Sequence, residues 1–244
     1  MSASHPQQEM RNQSVNSLAL LSARYTATCV EVLTMMCAAH LYIVCQALDL
    51  RAMQMEFFKT AKAACQASFY GLFNHIGTPK DPSSHSHFDP IWSAIRASWL
   101  DRNRLDLEEK CAQVSRDCLG QMVSSVSLDE TGYSHQECWG LIRRWKDLLP
   151  TILVDSHRKT REAFTKDRAT PQYLGQRTEQ VYLFVREQLQ VPFHLGVKDH
   201  PGFNKDDGEE VKRTIGTYVS RIYTAIRNEE MARLLLDVTE GLDW

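Results

Sequence analysis

The sequence predicts an all-α chain, a bundle of long helices, and three observations carry that expectation. Apolar residues recur at helical spacing over long segments. Glycine and proline are scarce, 11 and 8 in 244 residues. Short alternating strand patterns are few. The length is ample for one large domain or two small ones.

The most apolar helix lies early. Val30, Leu33, Cys37, Leu41, Val44 and Leu48 fall at intervals of 3, 4, 4, 3 and 4. Their neighbours Val32, Met35, Met36, Ala38, Ala39, Tyr42 and Ile43 are also apolar, so the helix is greasy nearly all round. Such a helix sits inside a bundle or inside a membrane. Glu31, His40 and Gln46 interrupt the run before it reaches the roughly 18–20 residues of a span, which predicts a central bundle helix. A break is expected at Ser22–Thr26, where Arg24-Tyr25-Thr26 interrupts the pattern. The helix is expected to end near Phe58, and a second one to continue through Phe69, Leu72 and Phe73.

Residues 77–90 form the clearest linker, dense in turn formers. His85, His87 and Asp89 within it imitate a metal site, but no further ligand stands at fixed spacing, so a Ser/His loop and no metal is expected. Helical period returns in Trp92, Ile95 and Trp99, then in Leu105, Leu107, Cys111, Val114, Cys118 and Met122. Residues 127–135 are a second turn-rich break. A helix follows over about 135–166, through Trp139, Ile142, Trp145 and Leu149, with Pro150 expected to kink or end it. The basic run from His157 to Arg168 reads as a solvated face. The helix through Val181, Phe184, Val185 and Leu189 should end at Val191-Pro192, followed by a polar loop from Lys198 to Glu210. Asp206-Asp207-Gly208 there suggests a calcium loop, but Phe203 and Thr214 occupy ligand positions, which excludes it. Ile215, Val219, Ile222, Tyr223 and Ile226, then Met231, Leu234 and Leu235, make an amphipathic close.

The 28 basic and 30 acidic residues nearly cancel. That gives no electrostatic basis for nucleic acid or an anionic membrane as a partner. No charged-then-apolar leader with a cleavage site opens the chain, so a soluble cytoplasmic protein is expected. Of the seven cysteines, Cys29, Cys37 and Cys45 are spaced eight apart on one helix, about 12 Å between neighbours, too far to bridge. Buried free thiols in a reducing compartment are expected of all seven.

One polar constellation stands apart. Glu9, Asn12, Gln13 and Asn16 share a helical face at i, i+3, i+4 and i+7, just before the apolar run. Buried amides need partners for every donor and acceptor, so a face of them signals either a helix start or a binding site. No G-x-S-x-G, H-E-x-x-H, phosphate loop or dinucleotide fingerprint occurs. Spacing alone thus yields an oligomeric helical bundle and no chemistry.

The motifs go further. Asn12-Gln13-Ser14-Val15-Asn16-Ser17-Leu18, Ser22-Ala23-Arg24 and Cys45-Gln46-Ala47-Leu48-Asp49-Leu50-Arg51 resemble the aromatic amino-acid ammonia-lyases, fungal phenylalanine ammonia-lyases above all. So do Tyr173 to Thr178, Val185 to Leu189, and Thr214 to Ile226. The likeness runs in order from about residue 7 to about residue 238 and resembles the C-terminal part of such enzymes. It implies the long-helix bundle of that family with an added helical insertion, laid out as 1–76 core helices, 77–170 an insertion that shields the pocket's mouth, and 171–244 helices returning to the core.

By that resemblance the activity is elimination of ammonia from L-phenylalanine to give trans-cinnamate, in a homotetramer. The ring-selecting residues fall outside these motifs, so tyrosine and histidine remain open, and an aminomutase is a lesser alternative. The family's electrophile is a 4-methylidene-imidazol-5-one ring made from an Ala-Ser-Gly tripeptide. None occurs here: the Ala-Ser pairs precede His5, Phe69 and Trp99. These residues alone are therefore not expected to catalyse. Carried over residue by residue, Glu9 is the catalytic carboxylate near the substrate's amino group. Asn12 and Gln13 are the pocket amides that bind substrate, and Asn16 supports them from behind. Arg11 and Ser14 depart from the His and Asp of plant members. The alternative from another class is a non-catalytic helical oligomerisation or regulatory module derived from that family.

Overall fold

The computed structural model describes residues 17–74, 87–126, 133–200 and 213–239. Within them eight α-helices are formed and no strand: α1 Ser17–Leu72, α2 Phe88–Asp101, α3 Leu107–Asp117, α4 Leu119–Ser125, α5 His135–Lys166, α6 Gln176–Leu183, α7 Ile215–Arg227 and α8 Glu230–Thr239. Two compact units divide the chain, one of residues 1–49 with 171–244, the other of residues 50–170. The second unit thus takes the stretch read as an insertion together with residues 50–76.

Helix α1 is one element of 56 residues, not two with a break before them. The expected interruption at Ser22–Thr26 is absent because the threonines find partners inside the helix. Thr26 and Thr28 donate their hydroxyls to the carbonyls of Ser22 and Arg24, and Thr34 does the same to Val30. A hydroxyl bonded four residues back is accommodated within the helix at only a slight cost in stability. Nor does α1 stop at Phe58, since no glycine or proline intervenes before Gly71.

The first unit packs Ala38, Tyr42 and Cys45 of α1 against Tyr182, Phe184, Val185 and Val191, with Ile222, Ala225 and Met231. Helix α6 passes directly into a turn of π-helix, Phe184–Gln188, where Leu189 N–H bonds Phe184 O at 2.9 Å. Val191 N–H then reaches Val185 O at 3.2 Å across Gln190, whose φ is 51°. That left-handed closure satisfies the last carbonyls and ends the helix where Pro192 forbids it to continue.

The second unit is an aromatic core. Phe57, Phe58 and Phe69 of α1, with Phe73 just past its end, meet Phe88, Trp92 and Trp99 of α2 and Trp145 of α5. Phe69 lies 4.7 Å from Phe73, the rings tilted by 30°, and edge-on to Trp145 at 5.5 Å, the T-shaped arrangement that ring quadrupoles favour. Helix α5 opens with a capping box, Glu137 N–H to Ser134 Oγ and Ser134 N–H to Glu137 Oε2.

Pro150 neither ends nor interrupts α5, which runs on to Lys166. Proline removes the hydrogen bond that the carbonyl four residues earlier would accept. That carbonyl, Lys146 O, accepts instead from the buried Ser115 hydroxyl of α3 at 2.6 Å. One helix repairs the gap left in another.

The expectation of burial fails over the start of α1. Leu20, Leu21, Tyr25, Val30, Val32, Leu33, Met35 and Met36 are all exposed among the described residues. Cys29 and Cys37 are exposed with them, whereas the other five thiols are buried as expected. By length and hydropathy α1 is able to cross a membrane, and only 17% of its most apolar window is buried. The interruptions at Glu31, His40 and Gln46 do not disqualify it, although a core helix of a soluble bundle meets the same requirement.

Candidate functional site

The residues singled out from sequence, Glu9, Asn12, Gln13 and Asn16, lie outside the described residues. Helix α1 begins at Ser17, directly after them.

The polar constellation that the described residues do form lies in the first unit. Asp49 of α1 is fully buried, and the side chain of Arg186, in the π turn, is 1% exposed. One Asp49 oxygen accepts from Arg186 Nη2 at 2.5 Å, the other from the Tyr182 hydroxyl at 2.5 Å. Arg186 Nη1 donates to the carbonyls of Val191 and Pro192 at 3.1 and 2.6 Å. Its Nε hydrogen has no partner. Two charges can lie this deep only because each meets the other and further dipoles.

One turn earlier on α1, the Gln46 carboxamide pairs with the backbone of His194. It donates to His194 O and accepts from His194 N–H, both at 3.0 Å. Arg221 of α7 donates to Leu189 O and Gln190 O at 3.2 and 3.0 Å. Three side chains from three elements thus fix the segment 189–194.

The electrostatics oppose nucleophilic chemistry here. Burial pushes the Cys45 thiol up to about 11, the Arg186 guanidinium pulling back only in part. Burial likewise raises Tyr42, again against Arg186. In the second unit burial pushes Cys65, Cys111 and Cys118 each to about 12. A thiol held protonated is no nucleophile at neutral pH. Among the described residues no group of three or more His, Cys, Asp or Glu is placed to hold a metal. With Asp49 and Arg186 closed to solvent and paired with each other, the constellation is a structural tie. It fastens residues 182–194 to residues 46–49.

This pair was missed although both residues stood in quoted motifs. The signal was partial: Asp49 stands between Leu48 and Leu50, an apolar setting that demands a counter-charge, whereas Arg186 stands beside Glu187 and gives no such sign.

The helices define an all-α protein built on one very long helix, and comparison with known proteins relates that class to a family. Residues 1–70 match the model of the aromatic amino acid lyases. A phenylalanine ammonia-lyase of Aspergillus hancockii is 30% identical over 95% of this chain and 34% of its own length. A phenylalanine aminomutase of Talaromyces islandicus is 32% identical over 96% of the chain and 32% of its own. The crystal structure of phenylalanine ammonia-lyase from the yeast Rhodosporidium toruloides superposes with a TM-score of 0.73 at 30% identity, covering 95% of this chain and 33% of that one. Nearly the whole chain is thus similar to members of the aromatic amino acid lyase family. It spans about a third of the length of the curated relatives it matches.

Proposed function

We propose that the chain is one part of a carbon–nitrogen lyase that eliminates ammonia from L-phenylalanine to give trans-cinnamate. In this reading it works only when the rest of the lyase fold is present. The observation that carries it is the similarity, over 95% of the chain, to one third of a fungal phenylalanine ammonia-lyase. The exposed apolar start of α1 supports the second half of the reading, because side chains of that kind require cover on all sides.

Within the pocket Glu9 holds the substrate ammonium and takes a proton as ammonia leaves. Asn12 and Gln13 supply neutral donors that orient the carboxylate without importing a full charge. Asn16 braces these amides. The prosthetic ring of the family supplies the electrophile when present. The 244 residues hold no Ala-Ser-Gly from which to make it, so it has to come from the remaining fold. The working assembly in this reading is a homotetramer. Free thiols at all seven cysteines are in keeping with the cytoplasm.

The test is ultraviolet detection of cinnamate from L-phenylalanine. The chain is assayed alone, and co-expressed with the two thirds of a fungal phenylalanine ammonia-lyase that it does not match. Silence alone and turnover in company support the reading, with Gln13→Ala lowering that turnover by about 10²-fold or more. Turnover by the chain alone would overturn the mechanism. β-Phenylalanine in place of cinnamate would make it an aminomutase.

A further inference from the structure

In the second unit His157 of α5 sits where three other helices converge. Its ring lies edge-on to Phe57 of α1, with centroids 5.5 Å apart, and 5.9 Å from Trp99 of α2. Phe57 and Trp99 are themselves in contact at 4.4 Å. The Trp99 ring also carries the ammonium of Lys110, from α3, 4.2 Å from its centroid. Lys110 is 8% exposed and donates to Asn103 Oδ1 at 3.0 Å. One imidazole, two rings and one ammonium therefore join α1, α2, α3 and α5.

The two charges that act on this imidazole are both positive. At the contact α1 and α2 present rings. Helix α3 brings Lys110, and α5 brings Arg161 one turn on. Arg158, the next residue, is already paired with Glu108 of α3 at 2.7 Å. A proton on His157 would add a third cation beside two, in a partly buried place. Cation–π attraction offsets little of that cost, since Lys110 already occupies the better ring, Trp99.

We propose that His157 is an acid-sensitive latch: uncharged it packs α5 against α1 and α2, and on protonation it loosens that packing within residues 50–170.

The direction of the titration agrees. Burial first, then Arg161 and Lys110, hold His157 below the ordinary 6.5. The latch is fully closed above the unfolded value of 6.5 and is lost as pH falls from there through the lowered one.

Tryptophan is a ready reporter, since four of the five, Trp92, Trp99, Trp139 and Trp145, lie in this unit. The full chain is titrated between about pH 8 and about pH 5, following tryptophan fluorescence, limited proteolysis and the His157 ring resonance by NMR. A reversible fluorescence transition below 6.5 is expected, with cleavage within 87–170 rising several-fold across it. Both are abolished in His157→Gln. The same transition in His157→Gln overturns the proposal, and so does wild-type cleavage that stays flat across the titration. A His157 midpoint at or above 6.5, read on the wild-type chain, overturns it even where the variant fails to fold.

Discussion

The two ends of α1 present the same kind of side chain to opposite surroundings. Between Leu20 and Met36 leucines, valines and methionines stand exposed, whereas between Phe57 and Leu72 phenylalanines close against α2 and α5. Both stretches are continuous helix. Composition therefore sets what a helix needs, and only its neighbours set whether the need is met. Between Leu20 and Met36 α1 is as apolar as a core helix, yet its large apolar side chains are exposed among the described residues.

That contrast makes substitutions along one helix the sharpest probe, starting with the largest effects. Phe69→Ala should cost about 3–5 kcal/mol, since the ring is 1% exposed and touches Phe73, Phe88 and Trp145. Asp49→Ala belongs beside it, at about 3–5 kcal/mol, because Arg186 is left charged and buried. Both are read from urea unfolding midpoints at constant slope. Restoring stability to Asp49→Ala by adding Arg186→Met would confirm that the orphaned charge, not lost volume, is the cause.

A middle effect tests the repair of α5. Ser115→Ala should cost about 1–3 kcal/mol by leaving the partly buried Lys146 O unpaired. In a Pro150→Ala background the new N–H at 150 can take that carbonyl, so the cost should shrink. A double-mutant cycle with no coupling would refute the pairing of these two sites.

The smallest effects fall at the surface. Val32→Ala on the isolated chain should change stability by less than about 0.5 kcal/mol, since its side chain is exposed. Asp117 titrates below the ordinary carboxylate value, 3.8, chiefly through the 2.6 Å bond from Ser98 and with help from Gln113 and Arg102. Its stabilising contribution is present above 3.8 and is lost as pH falls through the lowered value. Ser98→Ala should raise the Asp117 midpoint in an NMR titration, and an unmoved midpoint would discount that bond.

Periodicity made most of the helices legible, because buried faces repeat at 3.6 residues whatever covers them. Ser134 and Glu137 marked the start of α5 as a capping pair, though only the break before it was read. Three features escaped, two of them because they depend on a partner distant in the chain. Pro150 looked like a terminator until Ser115 supplied the missing donor. Arg24-Tyr25-Thr26 looked like a break because a bonded threonine and a helix-breaking one are spelled alike. Asp49 and Arg186 are 137 residues apart, beyond any local pattern. The amide motif was legible only through family resemblance, and Glu9, Asn12, Gln13 and Asn16 precede the first described residue.

Hydrogen exchange across α1 tests most directly whether its first half awaits a partner. Peptides covering residues 19–36 and 57–72 are compared in the chain alone and in the chain co-expressed with the rest of a fungal lyase. Residues 57–72 should be protected in both. Residues 19–36 should exchange quickly alone and slow by orders of magnitude in company, as a helix does once it gains tertiary cover. Strong protection of 19–36 in a dilute monomer of the chain alone would contradict the account.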